Sequence, residues 1–142
     1  MAEAILNRIG GDTITAYSAG STPRGEVNPL AIELLQSLGY KTDTFRSKSW
    51  DEFISTPQMD LVITVCDNAA NEVCPIWPGH PLTGHWGISD PDQPTKSVEE
   101  QRCLFRDAYK ILETKMKYFI AQHPETLDKN KIKELINETG DI

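Results

Sequence analysis

Residues 60–75 read DLVITVCDNAANEVCP, and how they are read decides the fold. LVITVC is a β-branched, apolar run bounded by polar residues. It lacks the alternation of a half-solvated strand, so it is expected to be a strand buried on both faces inside a parallel sheet. Such sheets need helical crossovers, and the flanking sequence supplies them. Upstream, NPLAIELLQSLG (residues 28–39) has Asn28 as N-cap, Pro29 at the first helical position and Gly39 just past the end. Downstream, Ser97 and Glu100 stand at capping-box spacing before a long amphipathic helix carrying Val98, Phe105, Leu112, Met116 and Phe119.

Further strands are expected at residues 14–18, at KTDTF (41–45) and around GHWGI (84–88). Helices are expected at the start, where Ala2, Ala4, Ile5, Leu6 and Ile9 precede Gly10 and Gly11, and at SWDEF, where Ser49 and Glu52 repeat the capping-box spacing. A polar helix in DKNKIKELINETG closes the chain and is expected to lie on the surface as an extension over residues 124–142. Alternating strands and helices without a dividing linker predict one α/β domain over residues 1–142, a parallel sheet with helices on both faces.

Composition narrows the function. With 39% hydrophobic and 25% charged residues the chain is globular, and its net charge of −7 opposes binding to a phosphate backbone. No run is apolar enough to cross a bilayer, and no secretory leader is evident, so the expected compartment is the cytoplasm. Three cysteines there are reduced thiols or redox groups rather than structural staples.

Ligands of open α/β sheets bind beyond the carboxyl ends of the strands, which singles out CDNAANEVC and SDPDQP. Cys66 ends the strongest strand and Cys74 follows eight residues on. Either Cys66 is a small core residue and Cys74 an inert loop thiol, or the two form a redox pair, which requires Cα atoms within about 7 Å. Zinc is disfavoured, because Asp67, His80, His85 and Cys103 match no zinc-ligand spacing. Asp90 precedes Pro91, which holds it in extended backbone; it is either a solvated turn residue or a general acid. His80, His85 and His123 have no partner evident from spacing, and Cys103 has no assigned role.

Taken together, AYSAGSTPRGEVNPLAIE, RSKSWDEF, DLVITVCDNAANEVCP and HWGISDPD resemble the arsenate reductases built on the low-molecular-weight tyrosine phosphatase fold, in order and from Met1 to about Ile120. The resemblance implies a four-stranded parallel sheet and a reaction in two halves. A cysteine in a Cys-x5-Arg phosphate loop attacks arsenate while the aspartate matched by Asp90 protonates the departing oxygen. The cysteine matched by Cys66 then attacks the cysteine–arsenic adduct, and that matched by Cys74 carries the disulfide to an external thiol donor, thioredoxin or glutathione with glutaredoxin. No bound cofactor or metal is implied.

One part of the pattern is missing. Cys66, Cys74 and Cys103 are followed six residues later by Glu72, His80 and Tyr109, so there is no Cys-x5-Arg. The first helix also lacks an N-cap residue, as though its amino end belonged to a phosphate loop. The expectation is that the first strand, central in the implied strand order, and the nucleophile are absent. The chain is then part of a longer protein or a poorly folding fragment. Alternative readings are a low-molecular-weight tyrosine phosphatase or a non-catalytic truncated remnant. Relatives that hold potassium do so near positions matching Glu3 and Ser18; Lys48 beside them predicts no potassium dependence.

Overall fold

The long helix over Val98–Ala121 organises the molecule. In the computed structural model, which describes residues 1–55, 57–66 and 75–142, the elements run α1 (Ala2–Ile9), α2 (Pro29–Ser37), β1 (Leu61–Cys66), β2 (Leu82–Ile88), α3 (Val98–Ala121) and α4 (Lys129–Asp141), with short 3-10 turns at Trp50–Phe53 and Pro124–Thr126. The α3 capping box forms in full: the Glu100 amide donates to the Ser97 hydroxyl at 3.2 Å, and the Ser97 amide donates to the Glu100 carboxylate at 2.9 Å. Phe105, Ala108, Tyr109, Leu112, Met116 and Phe119 recur at helical period and are buried. Val98, expected on that face, is exposed at the first turn.

Asn28 caps α2 as expected, accepting from the Leu30 amide at 2.8 Å, and sends Leu35 into the same core. At the start of α1, Met1 is the N-cap and provides no side-chain cap; Ala4 and Ile5 are buried against α3.

Four strands are expected, but the sheet has two among the described residues, β1 and β2, paired in parallel. Three differences account for this. Residues 14–18 form no ladder because the backbone of Ala16 is bound by a side chain: Asn7 on α1 accepts from the Ala16 amide at 2.8 Å and donates to its carbonyl at 3.0 Å. Both polar groups are satisfied as a neighbouring strand would satisfy them. Residues 41–45 turn instead of extending, with the Phe45 amide donating to the Thr42 carbonyl at 3.2 Å. In SWDEF, Ser49 accepts from the Asp51 amide, while both Glu52 oxygens accept from Arg46 at 3.0 Å, so the expected helix is reduced to one 3-10 turn.

The strand expected to be buried on both faces is half-buried at all six positions, since β1 has a strand neighbour on one edge only among the described residues. Among the described residues, Trp86 and Ile88 of β2 are buried beneath α3 and α4, whereas Thr83 and His85 are exposed. The closing helix is also more than a polar surface element. Leu135, Ile136 and Thr139 of α4 are buried, and the Trp86 indole N–H donates to the Ile136 carbonyl at 3.0 Å. A Cβ at Gly84 would stand 2.1 Å from Ile136 Cγ2, so glycine is what lets α4 lie this close to β2.

Candidate active site

Register brings the candidate residues to one end of the sheet. Leu61 pairs with Leu82 and Thr64 with His85, but Cys66 pairs with Ile88, so an extra residue of β2 bulges out just before the strand ends. Cys66 is the last residue of β1, half-buried, and Asp90 lies two residues beyond its partner Ile88. The thiol and the carboxylate therefore share the carboxyl edge, the side on which ligands of open parallel sheets bind. Cys74 lies outside the described residues.

Asp90 is exposed and sits in a self-bonded turn. Its Oδ1 accepts from the Asp92 amide at 2.9 Å, and its carbonyl accepts from the Gln93 side chain at 3.2 Å. This is an Asx turn, the conformation expected where proline follows aspartate. Asp92 is in turn bound by the Arg24 guanidinium, which reaches over from the loop before α2. Arg24 and Asp92 are 68 residues apart in sequence, and no spacing rule pairs them.

The remaining candidates lie elsewhere. His85 Nδ1 is 2.7 Å from the hydroxyl of its register partner Thr64. His123 meets Glu125 at 3.2 Å, His80 has a left-handed backbone in the loop before β2, and Cys103 is exposed on α3. A cavity of about 320 Å³, lined by Phe53, Met59, Trp77 and Gly79 among others, opens at the amino end of the sheet, opposite Cys66 and Asp90. Among the described residues no cluster of three or more His, Cys, Asp or Glu side chains could hold a metal ion.

Near the start of α1, Lys48 Nζ lies 3.1 Å from Glu3 Oε2, which also accepts from the Ser18 hydroxyl. Both charged side chains are largely buried, at 8% and 18% exposure, so each charge offsets the desolvation of the other. Burial lowers the pKa of the adjacent Met1 amine; the attraction of Glu3 opposes that shift, and Lys48 adds to it.

The family model of the low molecular weight phosphotyrosine protein phosphatase matches residues 1–133. The chain belongs to this phosphatase family. Its relatives include an arsenate reductase of Bacillus subtilis, 32% identical over 119 residues, which cover 84% of each chain. Another is an arsenate reductase of Bacillus licheniformis, 35% identical over 106 residues, covering 75% of this chain and 74% of that one. The crystal structure of an arsenate reductase from Archaeoglobus fulgidus shares the fold of this phosphatase-family chain, with a TM-score of 0.59 at 22% identity over 82% of this chain and 87% of the other.

Proposed function

We propose that this chain is an arsenate reductase component in which Cys66 and Cys74 form the thiol relay and Asp90 is the proton donor. The carrying observation is the register that sets Cys66 opposite Ile88, two residues before Asp90, at the carboxyl end of the sheet. The identity of these relatives as arsenate reductases supports the substrate.

In the first half-reaction a thiolate attacks arsenic, a water-sized leaving oxygen departs, and Asp90 supplies its proton. Cys66 then attacks the sulfur of the cysteine–arsenic adduct. A sulfur–sulfur bond forms, the sulfur–arsenic bond breaks, and its electron pair stays on arsenic, which leaves as arsenite. Cys74 exchanges into the disulfide and frees the first thiol, and an external thiol donor, thioredoxin or glutathione with glutaredoxin, reduces the new pair. The reading requires an attacking cysteine in a Cys-x5-Arg loop. None of the three cysteines here has the required arginine. The reading places the reaction in the cytoplasm; no helix among the described residues is long and apolar enough to cross a membrane.

The description of the matching family model favours a second reading, hydrolysis of phosphotyrosine, which needs no second thiol. A third, a non-catalytic remnant, rests on the missing Cys-x5-Arg. The first two separate in one assay. In this chain joined to a Cys-x5-Arg loop, Cys66→Ser is expected to abolish arsenate-dependent consumption of the thiol donor. Thiol consumption that survives the substitution, or aryl phosphate hydrolysis indifferent to Cys66 and Cys74, would refute the relay.

A further inference from the structure

We propose that Arg24 is a positioning residue for Asp90, acting through the side chain of Asp92; the inference rests on the reading of Asp90 as proton donor. Two loops meet at the carboxyl edge, and each is pinned at both ends. The loop carrying Arg24 begins at Gly20, whose amide donates to the Lys48 carbonyl at 2.9 Å and whose carbonyl accepts from the Trp50 amide at 3.1 Å. It ends at the Asn28 cap of α2. Gly25, at φ +87°, bends the chain directly after Arg24, a conformation that other residues adopt only with strain.

The loop carrying Asp90 runs from the end of β2 to the capping box at Ser97, with the Lys96 amide donating to the Gln93 carbonyl at 3.0 Å. Between the pinned ends, Arg24 grips the Asp92 carboxylate, and the Asp92 amide holds Asp90 Oδ1. Asp92 is mostly buried, with its side chain 20% exposed, while Arg24 is 73% exposed. The partner fixed in the fold is thus the carboxylate, and the guanidinium comes to it. Asp90 Oδ1 is held by the turn, which leaves Oδ2 as the oxygen available to carry a proton. Losing Arg24 frees Asp92 to rotate, loosens the amide bond to Asp90 and blurs the direction in which the acid points.

The test has two parts. In the 142-residue chain, Arg24→Ala should speed hydrogen exchange of the Asp92 amide by about threefold or more, the scale of one partly exposed ion pair. Exchange at the Ser97 and Glu100 amides should stay unchanged, and Arg24→Lys should recover part of the loss. In this chain joined to a Cys-x5-Arg loop, Arg24→Ala should lower kcat for arsenate several-fold with KM unchanged. Unchanged exchange at Asp92 overturns the latch. A raised KM with kcat intact also overturns it, since Arg24 would then bind the oxyanion itself. If Asp90→Asn leaves arsenate turnover untouched, the reading of Asp90 as proton donor falls, and the positioning role falls with it, whatever Arg24→Ala does to exchange.

Discussion

Lys115 is buried at 4% exposure and donates to the carbonyls of Thr139 and Gly140 at 3.3 and 2.8 Å. A lysine on the buried face of α3 thereby closes the end of α4, where the last carbonyls of a helix have no partner of their own. Its aliphatic stem packs in the core while the ammonium serves the helix end. Lys115→Met keeps the stem and strands both carbonyls. The expected loss is about 1–3 kcal/mol, read as a lower urea midpoint at unchanged slope. Little of this was legible in the sequence. Position 115 fits the helical period of the buried face, but a lysine there signals solvent, and its partners lie 24 and 25 residues away on another helix. Asn7 is a similar case: nothing in AEAILNRI announces a side chain that will bind the backbone of Ala16.

Elements with strong local signals were the legible ones. α2 and α3 carry their caps and periodicity in sequence, and both start where those signals place them. SWDEF carries the same Ser-x-x-Glu spacing as the start of α3, yet it makes one turn. Arg46 competes for Glu52, whereas Glu100 bonds back to Ser97. The α3 box also has a pH consequence. Hydrogen bonds from the Ser97 amide, and secondarily from its side chain, hold the Glu100 carboxyl below its usual 4.5. A folded-state pKa below the unfolded one contributes stability above 4.5, and that contribution is lost as the pH falls through the folded value. Glu100→Gln should therefore flatten the decline in stability on acidification in that range. Parallel acid-unfolding curves for the two proteins would contradict the assignment.

At the scale of the molecule, pairing is what the sequence left open. LVITVC and LTGHWGI are strands because each supplies the other with a neighbour, whereas residues 14–18 have the composition of a strand and no neighbour among the described residues. Periodicity reports which face of a segment is apolar, not whether a partner arrives. The candidate site was readable in part. Cys66 and Asp90 were marked by their places after strand signals, and the register unites them. Arg24 carries no local signal, because its contact with Asp92 depends on two loops meeting across the fold. The buried face of α4 was obscured by its many charged residues, although Leu135, Ile136 and Thr139 fall at helical spacing.

The relay between Cys66 and Cys74 is the claim on which the functional reading stands. Mild oxidation of the 142-residue chain, followed by peptide mapping of its disulfides under acid, tests it without any substrate. The account predicts a disulfide between Cys66 and Cys74 with Cys103 still a thiol; an oxidised chain in which Cys66 and Cys74 remain unjoined would contradict it.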